Sequence, residues 1–97
     1  MNANGPAKRP WKTMKRKLFG KYIVADPKIC HGQITFLGTR IFVQDVLDMA
    51  AEGMDWDTIV KEWHGHISKE AIAEALQLAS RAFREHADEY SVESASA

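Results

Sequence analysis

Hydrophobic positions along this chain follow two different periods, and the change between them falls at Val43. Before it, residues 21–25 and 33–37 are short runs rich in β-branched and aromatic residues, the pattern typical of strands. Gly38-Thr39 then predicts a tight turn into a third strand over residues 40–43, because glycine adopts backbone angles that other residues resist. The early part of the chain is therefore predicted to form a β hairpin.

From Val43 onward, apolar residues recur every three or four positions, which is the period of an α-helix. The first predicted helix ends at Gly53. Its apolar positions are Val43, Val46, Leu47 and Ala50. A second helix is predicted between Asp55, a favourable N-cap, and Gly65. Its apolar positions, including two tryptophans expected in the core, are Trp56, Ile59, Val60 and Trp63.

The third predicted helix is the longest, and it begins after Ser68, another favoured N-cap. Its predicted buried face consists of Ile72, Ala75, Leu76, Ala79 and Phe83. Beyond His86 the periodicity is lost, so residues 87–97 are expected to form an acidic flexible tail. The predicted fold is mostly α: a short N-terminal β hairpin followed by a trihelical helix-turn-helix-like (homeodomain-like) bundle, over residues 21–86.

The distribution of charge adds a second feature, a basic arm over residues 1–20 that is expected to be flexible. Net charge is zero, but seven basic residues and no acid precede Tyr22, whereas six basic and thirteen acidic residues follow from that point. Such an arm can neutralise nucleic-acid phosphates, or it can pair with acidic surface on its own body or on a neighbouring molecule. Both uses are consistent with the sequence, and so is a third alternative, a solvated, disordered tail that does neither.

If the protein binds DNA, the arm is expected to supply most of the affinity, because acids dilute the basic residues on the third helix. The predicted DNA contacts are Lys8, Arg9, Lys12, Lys15, Arg16, Lys17, Lys69, Gln77 and Arg81. The predicted contacts to a partner protein are Trp11, Arg40, Phe83 and Arg84. For Arg40 an alternative is structural: it can tie the hairpin to the first helix through Asp45 or Asp48.

The sequence gives little indication of chemistry that requires a metal or another cofactor. Cys30 is the single cysteine, so it cannot form an intrachain disulfide. Together with His31 it lacks the paired ligand spacing of structural zinc sites. His64 and His66 are expected in an interhelical loop. The stretch from Gly32 to Arg40 differs from a phosphate-binding P-loop in both spacing and residue type. We therefore expect no enzyme activity, metal, cofactor or small-molecule substrate.

The length of 97 residues suits a single domain, and no apolar run approaches the roughly 20 residues needed to cross a bilayer. The first residues also lack the apolar core of a signal peptide, so a cytoplasmic location is expected. A folded body of about 60 residues buries only about 60% of its unfolded surface, which favours a homodimer.

The order of these signals resembles the bacterial and archaeal family called domain of unknown function 433, grouped with predicted antitoxins of type II toxin–antitoxin pairs. The residues that carry the resemblance are Asp26, Pro27, Ile29, Gly32, Gly38, Thr39, Arg40, Ile41 and Val43. Departures are Ile34, where proline is common, and His64-Gly65-His66, where a Tyr-Pro pair is usual.

The resemblance implies a β hairpin on a helix-turn-helix-like domain, in a dimeric antitoxin that neutralises a PIN-type ribonuclease toxin and contacts operator DNA. The alternative is a protein-interaction and dimerisation module with no role in binding nucleic acid.

Overall fold

A computed structural model describes residues 15–92 of the chain. Its strands are β1 (Lys17–Leu18), β2 (Ile23–Ala25) and β3 (Ile34–Phe36), with a short 3-10 turn, Cys30–Gly32, before β3. Its helices are α1 (Val43–Ala51), α2 (Trp56–Glu62), α3 (Lys69–Glu85) and α4 (Ala87–Tyr90). Helices make up about half of the described residues, which confirms the mostly helical fold class.

The three strands form one antiparallel sheet in the order β1-β2-β3. β1 lies in the segment whose composition predicts a flexible arm, and it forms by pairing with β2. The predicted third strand over residues 40–43 is reduced to a single bridge between Thr35 and Phe42. The reason is that α1 starts at Val43, so the extended segment after the turn ends at Phe42.

The turn at Gly38-Thr39 matches its prediction. Gly38 has a φ of 80°, and the Thr39 hydroxyl donates a hydrogen bond to the carbonyl of Phe36 at 2.8 Å. The same hydroxyl accepts a hydrogen bond from the N–H of Ile41 at 3.0 Å. Thr39 thus fixes the direction in which the chain leaves the sheet and enters α1.

The core lies between the sheet and the first three helices. Its buried members are Ile23, Phe36, Val43, Val46, Ile59, Ile67, Ala71, Ile72 and Ala75. Both predicted caps are present: Asp55 accepts a hydrogen bond from the N–H of Thr58, and Ser68 accepts one from the N–H of Ala71. None of the helices within residues 15–92 is long and apolar enough to cross a membrane.

Three residues predicted to be buried are instead exposed: Trp56, Ala79 and Phe83. Trp56 is the first residue of α2, at the edge of the core, and exposes 36% of its surface. Phe83 exposes 60%, because α3 has 17 residues and extends about 25 Å, whereas α1 beside it has nine and extends about 13 Å. The C-terminal half of α3 therefore projects past the core.

Candidate nucleic-acid interface

β1 presents two different faces to its surroundings because side chains alternate along an extended strand. The strand pairs with β2 so that Lys17 lies opposite Ala25. In the turn between the two strands, the Phe19 N–H donates a hydrogen bond to the carbonyl of Ile23 at 2.9 Å. Lys15, Lys17 and Phe19 alternate with Arg16 and Leu18, and the first three lie on one face, where they line the same cavity.

That face borders a cleft of about 240 Å³, which we call the β1 cleft. Its lining residues are Lys15, Lys17, Phe19, Ala25, Pro27, His31 and Gly32. None of these seven residues is acidic, although the chain from Tyr22 onward carries an excess of acids. The cleft therefore combines two lysines, a histidine and an aromatic ring in a locally basic surface.

The Cys30–Gly32 turn forms the other wall of the β1 cleft. All three residues lie in the left-handed region, with φ values of 50° for Cys30, 58° for His31 and 83° for Gly32. Hydrogen bonds hold the turn, from the Gly32 N–H to the carbonyl of Ile29 and from the Gln33 N–H to the carbonyl of Cys30. Cys30 and His31 therefore lie in a turn between β2 and β3, outside either strand. His31 is exposed and lines the cleft.

A carboxylate on α3 anchors the basic segment to the body. Glu74 accepts hydrogen bonds from the backbone N–H groups of Lys21, at 2.9 Å, and Tyr22, at 2.7 Å. The ammonium group of Lys21 lies 5.6 Å from the centre of the Tyr22 ring, within the range of a cation–π interaction. The residues just after β1 are thus fixed relative to the helices, and β1 is fixed with them.

The other predicted DNA contacts in the described residues lie outside the β1 cleft. On α3, Gln77 and Arg81 are exposed, whereas Lys69 forms an ion pair with Asp57, with 2.6 Å between Nζ and Oδ1. The hydrogen bond to Asp57 and the charge of that carboxylate raise the pKa of Lys69. Arg16, directly before β1, is exposed. The predicted contacts Lys8, Arg9 and Lys12 lie outside the described residues.

The predicted partner contacts fall in separate places. Arg40 is exposed, and within residues 15–92 it forms no ion pair with Asp45 or Asp48, contrary to the structural alternative. At the far end of α3, Phe83 packs against Tyr90 of α4, with 6.1 Å between ring centres. Beside it, Arg84 donates a hydrogen bond to the hydroxyl of Ser80. Trp11 lies outside the described residues.

Phe19, His31 and Glu74 are side chains of the site that the sequence did not indicate. The alternation of Lys15, Lys17 and Phe19 is a signal that indicates a shared face once the segment is known to be a strand. Glu74 carries no such signal, because its contacts lie 52 and 53 positions away. In the described residues, no group of three or more His, Cys, Asp or Glu side chains is arranged to hold a metal ion.

Comparison with known proteins gave one family match. The model of a family described as "Protein of unknown function (DUF433)" matches residues 23–79. The match runs from β2 into α3, so it includes Ala25, Pro27, His31 and Gly32 of the cleft and excludes Lys15, Lys17 and Phe19. No curated protein and no solved structure matched the chain.

Proposed function

Because the chain belongs to the DUF433 family, whose description assigns no function, we propose a function from the chain's own surface. The protein is a non-enzymatic, antitoxin-like protein that acts as a homodimer and contacts operator DNA through β1 and its flanking residues. Through separate exposed residues it binds a PIN-type ribonuclease toxin. The antitoxin assignment rests on the motif resemblance, and the DNA contact rests on the basic segment.

One observation carries the DNA proposal: residues 15–21 hold four exposed basic side chains and no acid. Lysine and arginine side chains that neutralise phosphates release condensed counterions, which supplies most of the affinity in non-specific DNA binding. β1 and the Glu74 hydrogen bonds fix the backbone on either side of Phe19, so these charges are held on a defined surface. From Tyr22 onward the chain carries thirteen acidic and six basic residues, and this excess of negative charge favours an orientation with β1 toward the DNA.

The partner proposal is supported by the exposed aromatic pair at the end of α3. Phe83 and Tyr90 each expose more than half of their surface, and Arg84 is adjacent to Phe83. Aromatic residues and arginine provide a large share of the binding energy in protein interfaces. Phe83 lies nine residues beyond Glu74 on α3, about 13 Å along the helix axis, and it does not line the β1 cleft, so the toxin and the DNA would use different surfaces.

The DNA contact is tested by fluorescence anisotropy with a duplex taken from the region upstream of the gene, at several salt concentrations. We expect Lys17→Ala to weaken binding and to reduce the slope of log affinity against log salt by about 0.9, the loss of one phosphate contact. Lys61→Ala removes the same charge from an exposed position on α2 and serves as the matched control. Equal affinity of Lys17→Ala and Lys61→Ala would refute the DNA contact.

A second candidate, a protein-interaction module without a role in nucleic-acid binding, is favoured by apolar side chains on the sheet. Leu18 of β1 and Phe42 beside β3 are both exposed. Co-purification with a PIN-type ribonuclease encoded by an adjacent gene, followed by an assay of its RNA cleavage, tests the partner part of the proposal. Binding and inhibition of the ribonuclease without any affinity for duplex DNA would replace the first candidate with the second.

A further inference from the structure

We propose that the β1 cleft holds one unpaired nucleotide of a single-stranded nucleic acid. Its base stacks on Phe19, and its phosphate lies between Lys15, Lys17 and His31. This inference rests on the proposed function and extends it, because Lys17 contributes to the binding of duplex DNA and to the binding of a single strand. Duplex DNA needs only the exposed charges, whereas a single strand also needs the aromatic ring.

In the β1 cleft, basic side chains lie beside an aromatic surface. Lys15, Lys17 and Phe19 occupy alternate positions on and beside β1, and all three line the cleft. Phe19 exposes 37% of its surface and lines the cleft. A basic surface that follows the backbone, next to an aromatic ring on which a base can stack, is how proteins bind single strands without sequence preference.

Away from β1, the lining of the β1 cleft includes His31 and Gly32. His31 is exposed and adds a third side chain, after Lys15 and Lys17, that can bond to a phosphate. Gly32 has no side chain, so it contributes only backbone atoms to the lining.

The β1 cleft is also small. Pockets for free small molecules usually have volumes of about 300–1,000 Å³, and the β1 cleft, at about 240 Å³, falls below this range. A group that belongs to a polymer needs less enclosure, because neighbouring nucleotides make further contacts. Bases in a duplex are stacked on one another and cannot offer a face to Phe19. An unpaired base can do so.

The experiment compares two labelled probes of equal length, a single-stranded oligothymidine and a duplex, in anisotropy titrations of the full chain. We expect Phe19→Leu, which keeps an apolar side chain but removes the ring, to weaken binding of the single strand about tenfold. Binding of the duplex should stay within about twofold. Phe19→Tyr restores a ring for stacking and should restore the affinity. Trp56→Leu removes a similarly exposed ring on α2, 36% against 37% for Phe19, and is the matched control.

Each result has a distinct meaning. If Phe19→Leu leaves single-strand binding unchanged, or weakens both probes equally, the nucleotide site in the cleft is refuted. If Lys17→Ala leaves the affinity for both probes unchanged, the proposed nucleic-acid function fails as well. Thermal melts of each variant, followed by circular dichroism, separate loss of binding from loss of folding. A Phe19→Tyr variant that folds but does not recover single-strand binding also refutes the site.

Discussion

The Glu74 carboxylate occupies the space in which a side chain at residue 20 would lie. A Cβ placed on Gly20 would be 2.5 Å from Oε2 of Glu74 and 2.6 Å from its Cδ, and Gly20 has a φ of 154°. Real Cβ atoms essentially never approach other atoms this closely. Gly20 therefore allows α3 to contact the chain directly after β1, which is how the basic segment becomes part of the folded body.

Gly20→Ala is expected to destabilise the protein by about 2 kcal/mol, because the new methyl group displaces the Glu74 carboxylate from its hydrogen bonds. Urea unfolding measures this loss. Gly38→Ala provides a comparison at another glycine with positive φ, where a Cβ would meet nothing within 4 Å. Gly38→Ala thus reports backbone strain alone. A Gly20→Ala variant as stable as wild type would contradict the close contact between Gly20 and Glu74.

Glu74→Ala should also destabilise the protein by about 1–2 kcal/mol, through the loss of two hydrogen bonds to backbone N–H groups. The double variant Gly20→Ala/Glu74→Ala should lose less stability than the sum of the single losses, because removing Glu74 also removes the clash. A double-mutant cycle measures this coupling. Strict additivity would show that the two residues do not act on each other.

The N-cap of α2 predicts a dependence of stability on acid pH. Hydrogen bonding to the side chain and backbone of Thr58 holds the pKa of Asp55 below its ordinary value of 3.8. A carboxyl whose pKa is lower in the folded state adds stability above its unfolded value and loses that stability as the pH falls through its folded value. Asp55→Asn keeps a capping oxygen without the titration.

The melting temperature should therefore fall less steeply for Asp55→Asn than for wild type between about pH 5 and about pH 2. The two proteins share every other carboxyl group, so the difference between their slopes isolates Asp55. Thermal melts across this range provide the measurement. Parallel curves would mean that the cap does not depend on the charge of Asp55.

Thr35 in β3 predicts a stabilising substitution. The residue is fully buried, and within the part of the chain that the structure describes its hydroxyl has no hydrogen-bonding partner. Burying an unpaired hydroxyl costs about 1–3 kcal/mol, so Thr35→Val should raise the free energy of unfolding by about 1 kcal/mol. Thr35→Ser keeps the hydroxyl and loses a methyl group, so it should be less stable than wild type. A decrease in stability for Thr35→Val would mean that the hydroxyl is paired in solution.

Features controlled by neighbouring residues were predictable from the sequence. Asp55 and Ser68 cap their helices through N–H groups three positions away, and Thr39 bonds within its own turn. The periodicity from Val43 located all three long helices for the same reason. Each of these features depends on contacts within a few residues, which a single sequence displays directly.

Features that depend on distant contacts were not predictable. β1 has only two residues and depends on pairing with β2, while Glu74 reaches it from α3. The exposure of Phe83 depends on where α3 passes the end of the core, not on its position in the helical period. The β1 cleft also depends on distant contacts. The charge of Lys15 and Lys17 identified them as candidates, but Phe19 and His31 lie beside them only because the chain folds into the sheet.

The most direct test of the central claim, that β1 and its cleft contact nucleic acid, is an NMR titration of the full isotope-labelled chain with duplex DNA from upstream of its gene. We predict that backbone amide signals of residues 15–19, together with His31 and Gly32, shift as DNA is added, while those of Asp45 and Asp48 on the outer side of α1 do not. Signals at β1 that stay unchanged while those of Gln77 and Arg81 shift would place the contact on α3 and contradict the account.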